Sequence, residues 1–333
     1  MMAIIDRRRF FLDAGKALGG LALIQAIPTW AFATGTAEMD LIHRSSRAMG
    51  TSIRVSIPIL QFTSLRAERA LNNLRLVGAR LSAHDENSVL MKMNNAPGRW
   101  NVGTELLDVS RSALSIGNLT EGALDVTVLP AMRRYGFVPG TARATDRIDF
   151  TSLEVRGTSV RVKTDGIGVD FGGIAKGYGV DAAVLELRSG GVTTALIDAG
   201  GDLFAMGRPT PEQPWKIGIR HPGKERDLVA TIEIENQAVA TSGTYLQTRT
   251  VDGVKVSHLI DPATGKFVDH VTSATIVAPD TMTADALATA TSVMRPGAAQ
   301  DLVEGLPGVE GFWIYTDGTH YVSTGLRPLL RML

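Results

Sequence analysis

The chain runs to 333 residues, 44% of them hydrophobic and 20% charged, with 34 basic and 34 acidic side chains. That composition suits a globular enzyme, and its zero formal charge gives no electrostatic footprint for nucleic acid or an anionic membrane. The absence of cysteine excludes disulfides, thiolate metal sites and cysteine nucleophiles.

Asp6-Arg-Arg-Arg-Phe-Phe-Leu12 resembles a twin-arginine export signal. A mild apolar run from Ala17 to Ile27 follows, and Pro28-Thr-Trp-Ala-Phe-Ala33 ends in the small-x-small pattern of a cleavage site. The run is too short and too rich in glycine and alanine for a stable membrane span. Residues 1–33 are therefore expected to direct export to the periplasm and to be cleaved near Ala33, leaving 34–333 as one functional domain. Four basic side chains and two acids fall in that leader, so 30 basic and 32 acidic residues remain after it, a net charge of −2.

Beyond the leader, Ser45 to Ile57 reads as a strand-like run containing Met49-Gly-Thr51 and ended by Pro58. Residues 65–81 have helical periodicity: Leu71, Leu74, Val77 and Leu81 share one face, with Arg66, Glu68, Arg69 and Arg75 opposite. Ser82 to Ser88 is a polar break and Met91 to Gly98 reads as a loop. A second helix is expected over Thr104 to about Leu119, then an acid-bearing turn from Thr120 to Thr127, and a surface loop from Pro139 to Asp149. β-Branched runs (Ser159 to Val162, Ile167 to Val169) lead into Asp170-Phe-Gly-Gly-Ile-Ala-Lys-Gly-Tyr178, and a helix from Ile174 to Leu187 leads out. Further strands are expected at 193–197, 215–220, 228–234, 238–241, 254–260 and 273–277, with turns at Pro222-Gly and Asp252-Gly. Helices follow at 283–293 and 298–306, then a hairpin over 312–324. The order is mixed α+β with antiparallel strands, not a regular βαβ series.

Four stretches carry chemistry. Gly172-Gly173 at the mouth of a helix lets backbone approach a ligand, and the helix start adds unpaired N–H groups. Lys176 in the first turn opposes the helix dipole; it either answers a bound anion or is simply solvated. In Thr283-Ala-Asp-Ala-Leu-Ala-Thr289, Asp285 and Thr289 are one helical turn apart on one face. They form either a hard-oxygen pair for Mg²⁺ or a helix start in which Asp285 acts as a cap. In His258-Leu-Ile-Asp-Pro-Ala-Thr-Gly265 the histidine is placed on a strand, sharing a face with Ile260, and Asp261 opens a turn. It is either a base with pKa near 6.5 or a half-buried structural residue. Ala199-Gly-Gly-Asp202 is a further place where backbone can come close to a ligand.

Together these motifs, with Thr241-Ser-Gly-Thr-Tyr245, occur in the order and spacing of the FAD:protein FMN transferase (ApbE) family, which the chain resembles from about Met49 to Thr289. The resemblance implies an α+β, ApbE-type (tunnelling-fold-like) single unit of antiparallel sheets with packed helices, holding flavin in a cleft between two lobes. It implies Mg²⁺ on Asp285, Thr289 and the Gly173 carbonyl, and FAD contacts from Asp170, Lys176 and Ile260. It adds Met49, Ala123, Leu124 and Asp125 at the adenosine and flavin ends, and His258 as the base. Leu124, Val126, Asp198 and Thr244 depart from the family's common Phe, Pro, Asn and Asp, and His84 stands where an aromatic is usual.

The implied reaction is Mg²⁺-dependent transfer of the FMN half of FAD to a Thr or Ser hydroxyl of an acceptor protein, with release of AMP. The implied acceptor is a flavoprotein, membrane-bound and facing the periplasm. Alternatives built on the same residues are a Mg²⁺-dependent FAD pyrophosphatase and a periplasmic flavin-binding protein without chemistry.

Overall fold

The computed structural model describes residues 40–333 apart from 97, 144, 145 and 225, so the expected export segment lies outside the described residues. In chain order the elements are β1 (Leu41–Ala48), β2 (Thr51–Pro58), α1 (Ser64–Arg80), α2 (Val89–Asn95), β3 (Gly98–Asn101), α3 (Thr104–Leu119) and α4 (Leu129–Arg134). They continue with β4 (Leu153–Arg156), β5 (Ser159–Val162), α5 (Ala175–Ser189), β6 (Ala195–Ala199), β7 (Asp202–Met206), β8 (Trp215–Arg220), β9 (Leu228–Ile234) and β10 (Gln237–Gly243). The last are β11 (Thr248–Val251), β12 (Val254–Ser257), β13 (Val271–Ala278), α6 (Thr281–Val293), α7 (Pro296–Glu304), β14 (Glu310–Tyr315), β15 (His320–Val322) and β16 (Leu330–Met332). No helix among the described residues is long and apolar enough to cross a membrane.

Eight strands form one antiparallel sheet in the order β1-β2-β6-β7-β10-β13-β14-β15. Side chains alternate across it, as the two-residue strand period requires. In β7, Phe204 and Met206 enter the core shared with α1, α5 and α6, while Leu203 and Ala205 face the opposite way. There the three-stranded sheet β16-β9-β8 covers them with Trp215, Ile217, Ile219, Ile232 and Ile234. Each fully buried aliphatic side chain of this kind contributes about 1.5–3 kcal/mol. The result is three layers: helices, large sheet, small sheet. A third sheet, β3-β5-β4, packs against α3.

α6 occupies the middle of the helical layer, between α5 and the strands β10 and β13. Its sequence explains this. Ala284, Ala286, Ala288 and Ala290 carry almost no side-chain bulk, and with Leu287 they are buried around the whole circumference.

Three expectations need correction. The run Ser45–Ile57 is not one strand: Met49 (φ 52°) and Gly50 (φ 72°) form a two-residue turn that folds β1 back on β2, the left-handed pair that suits a hairpin's twist. Met91–Gly98 is not a loop throughout, because Ser88 caps α2 by accepting from the Met91 N–H at 2.9 Å. β7 was not expected at all, although Leu203-Phe-Ala-Met206 is fully buried.

Candidate functional site

The Gly-Gly segment before α5 is held on two sides. Asn94, near the end of α2, accepts from the Val169 N–H and donates to the Val169 carbonyl, both at 2.8 Å. One amide side chain thus takes the place of a neighbouring strand. On the other side the Asp170 N–H donates to Val126 O at 2.7 Å, and Val128 bridges Gly168 in parallel. The Asp170 carboxylate turns back on its own loop and accepts from Gly172 N at 2.9 Å. Burial pushes its pKa up.

α5 and α6 meet at their starts with almost no gap. A Cβ on Gly177 would overlap the Thr281 carbonyl, so glycine is required for the approach. Asp181, one turn further along α5, accepts from both the Thr281 and Met282 N–H groups at 2.8 and 2.9 Å. Asp280 is the true cap of α6, accepting from Thr283 N at 2.8 Å. Three of the helix's four orphan donors are thereby satisfied, two of them by another helix. Burial raises the Asp181 carboxyl to about 6 in spite of these bonds.

Asp285 is therefore no cap. It lies a turn beyond Asp280, its side chain is 2% exposed, and it accepts from Gly177 N at 3.0 Å and from Lys176 Nζ at 3.1 Å. Lys176 also pairs with Asp202, whose side chain is 3% exposed. The cation that opposes the α5 dipole is thus answered first by two protein carboxylates. Burial works against the Lys176 ammonium, but the two carboxylates outweigh it and push its pKa above the ordinary range. Burial, and then the charge of Asp285, push the Asp202 carboxyl up against the pull of Lys176. Next to this trio, Thr289 Oγ1 lies 3.3 Å from Ser242 Oγ at the end of β10. Gly173 abuts Thr289, since a Cβ there would stand 3.0 Å from its Oγ1 and Cγ2.

His258 follows β12 in a bend, not on a strand as expected. Its N–H donates to Gln247 O at 3.1 Å, its ring meets Phe137 edge-on, and its Nδ1 is buried without a hydrogen-bond partner. Burial, then the positive field of Lys176, lower its pKa to about 4. An imidazole so placed is neutral through the whole physiological range. Ile260 is buried and bridges Phe267, while Asp261 closes its turn on Ala263 N and Thr264 Oγ1.

The N-terminal candidates are placed differently. Met49 lies in a slot between helices: a Cβ on Gly78 of α1 or on Gly179 of α5 would come within 2.8 or 2.5 Å of its side chain. Leu124 is buried in the main core. Asp125 is committed to structure, accepting from Thr127 N (2.7 Å), Thr127 Oγ1 (2.6 Å) and Phe150 N (3.0 Å), with its pKa raised chiefly by burial. Ala123 to Asp125 join the site through Val126, which pairs with Asp170. The turn Gly200-Gly201 between β6 and β7 lies beside the Met49-Gly50 turn, because a Cβ on Gly200 would overlap Thr51.

The structure thus brings Gly173, Lys176, Asp285 and Thr289 together, with His258 inside the field of Lys176. It adds Asp202, Ser242, Asp181 and Asn94, which had no assigned role. Asp202 and Ser242 carried a signal, since both sit in the Gly-bearing motifs already singled out.

The donor set fits a hard cation. Two buried carboxylates share one ammonium, so with both ionised one negative charge is left over; burial, and then that leftover charge, push the Asp202 carboxyl up, and a further cation relieves the cost. The oxygens of Thr289, Ser242 and Gly173 are neutral and hard, as Mg²⁺ prefers. No cluster of three or more His, Cys, Asp or Glu suited to a metal occurs among the described residues, so hydroxyl and carbonyl oxygens would have to complete any shell.

A FAD:protein FMN transferase from Vibrio cholerae is 31% identical over 313 residues, 87% of this chain and 93% of that protein. Another from Treponema pallidum is 32% identical over 332 residues, 90% and 91% of the two chains. The solved ApbE protein of Thermotoga maritima superposes with a TM-score of 0.80 at 30% identity, covering 87% of this chain and 99% of its own. The family model described as the ApbE family matches residues 49–313, so the chain belongs to the ApbE family.

Proposed function

We propose that the protein transfers the FMN moiety of FAD to an acceptor protein, at a Thr or Ser hydroxyl and with release of AMP. The observation that carries this reading is the convergence of Lys176, Asp202, Asp285, Thr289, Ser242 and Gly173 on one partly buried site, with a neutral histidine in the field of Lys176. Binding alone needs neither a neutral base nor a cation seat.

In this reading Asp285, Thr289 and the Gly173 carbonyl hold Mg²⁺, with Ser242 beside them. When bound, the ion neutralises charge on the FAD pyrophosphate. The chain's own groups do the rest. Lys176 presents a point charge to a phosphate oxygen, and the Gly172-Gly173 backbone lets the pyrophosphate approach closely. His258 accepts the proton of the acceptor hydroxyl as its oxygen attacks the FMN phosphorus. A P–O bond forms to the acceptor, the pyrophosphate P–O bond breaks, and AMP leaves with the electron pair. The anionic pyrophosphate also offsets the field of Lys176 at His258, which raises the basicity of the imidazole on substrate binding.

Incubation with FAD, Mg²⁺ and a candidate acceptor domain, followed by intact-mass measurement of the acceptor, tests the proposal. The expected result is an acceptor heavier by one FMN. Free FMN and AMP with an unmodified acceptor would replace transfer by hydrolysis. The twin-arginine-like sequence at residues 6–12 and the family resemblance support a periplasmic enzyme acting on membrane-bound flavoproteins that face that compartment.

A further inference from the structure

We propose that the Lys176 ammonium is a placeholder for the metal at Asp285, and that Asp202 is the positioning residue to which it retreats when the metal binds. The inference rests on the Mg²⁺ seat of the proposed function, and concerns what occupies and regulates that seat.

The geometry is specific. Lys176 Nζ lies 3.1 Å from Asp285 Oδ1 and pairs at the same time with Asp202. Asp285 Oδ2 is already committed to Gly177 N at 3.0 Å. The oxygen that Lys176 occupies is therefore the one with no backbone partner to give up when a cation arrives. Asp285 and its backbone partner sit in the α5–α6 contact, where the two backbones approach so closely that a Cβ on Gly177 would overlap the Thr281 carbonyl. A lysine side chain has four rotatable bonds, so the movable member of the trio is Lys176. Asp202 stands at the start of β7, after the Gly200-Gly201 turn, on a different element from Asp285. An ammonium held by Asp202 alone stays in the site, keeps its charge compensated, and faces the incoming phosphate.

Charge balance points the same way. With both carboxylates ionised, the two acids and one ammonium sum to −1; a divalent ion turns this to +1, and the pyrophosphate of FAD then supplies the anions. Metal first and FAD second is the order in which no intermediate state carries more than one uncompensated charge. FAD arriving first would add anions to an already negative site.

Three consequences follow for metal binding measured alone, without FAD or acceptor. Replacing the ammonium by a neutral chain, Lys176→Met, removes the competitor and leaves two carboxylates facing one space. Mn²⁺ affinity, read by electron paramagnetic resonance or calorimetry, should rise roughly tenfold or more, even though transfer is lost. Asp202→Asn deprives the ammonium of its retreat, and Mn²⁺ affinity should fall by roughly tenfold. In the double variant the Asp202→Asn effect should shrink, because Asp202 then has no ammonium to hold. Lys176→Gln, measured beside Lys176→Met with thermal melts of both, separates a local effect from a loss of fold.

Unchanged or weaker Mn²⁺ binding in folded Lys176→Met and Lys176→Gln would overturn the proposal. So would an Asp202→Asn effect of full size in the double variant, which would make Asp202 a plain source of negative charge. Failure of wild-type transfer to any acceptor would overturn the proposed function and leave these binding results untouched.

Discussion

Asp285 and Asp280 share a helix start, and only one of them caps it. Asp280 accepts from Thr283 N, whereas Asp285 accepts from a different helix and from Lys176. Asp280→Asn should therefore be nearly neutral, since Asn is as good a cap. Asp285→Asn keeps the shape but loses the charge that, in the proposed function, holds a hard cation. Transfer at limiting Mg²⁺ should fall by at least the roughly 10–100-fold that loss of an outer-shell partner costs. Steady-state rates across a Mg²⁺ titration of both variants check this. His258 supplies the second prediction at this scale. His258→Ala should lower turnover by about 10²-fold or more while FAD binding changes little. The pH behaviour differs from that of an ordinary imidazole. The folded pKa is lowered to about 4, against about 6.5 in the unfolded chain. The folded state thus binds fewer protons in that window. The stability contribution is complete above about 6.5 and is lost as pH falls through 4. Melting temperatures between pH 7 and 4 should therefore drop less steeply in His258→Ala than in the wild type.

At the scale of elements, the proposed metal seat depends on how two helices are pinned. Asp181 reaches from α5 to the first two N–H groups of α6, and its loss leaves buried donors unpaired at a cost of about 1–3 kcal/mol each. Asp181→Ala should lower the melting temperature and raise the Mg²⁺ concentration needed for half-maximal transfer. Glu186→Ala, on the same helix but paired with Arg69 at the surface, should do neither. Much of this level was legible in the residues. Helical periodicity placed α3 at its observed ends and α1 within one residue, because each helix buries a single apolar face. The antiparallel order followed from the turn pairs, as with Asp252-Gly253 between β11 and β12. The β1–β2 turn was hidden, because its first left-handed residue is Met49, so Gly50 is not preceded by the Asn or Asp that usually marks such a turn. Its cause is tertiary: the methionine fills the slot between Gly78 and Gly179. The Asp202–Lys176–Asp285 trio was hidden for the same reason. Each motif was visible, but its partner is chosen by the order in which strands enter the sheet, and periodicity carries no record of that.

For the whole molecule, the proposed leader and the folded body make separate demands. We expect replacement of Arg7, Arg8 and Arg9 by lysine to leave the precursor in the cytoplasm, since an ammonium does not copy a bidentate guanidinium. Fractionation followed by blotting reads this, and normal periplasmic accumulation would remove the twin-arginine assignment without touching the enzyme. The body itself is layered so that α6 has almost no water-facing side: Ala284 through Ala288 are buried, as are Ala290, Thr291 and Ser292. Amide hydrogens in such a helix exchange with solvent only when a large part of the structure opens. Peptides covering 284–292 should be among the slowest to take up deuterium, slower than those from α1, which keeps one face in water. The proposed Mg²⁺ seat, with its carboxylate and hydroxyl on so stiff a helix, would not widen for a larger ion. Ca²⁺ takes more ligands at longer distances than Mg²⁺, so discrimination between the two would be built into the centre of the core and set by helix packing.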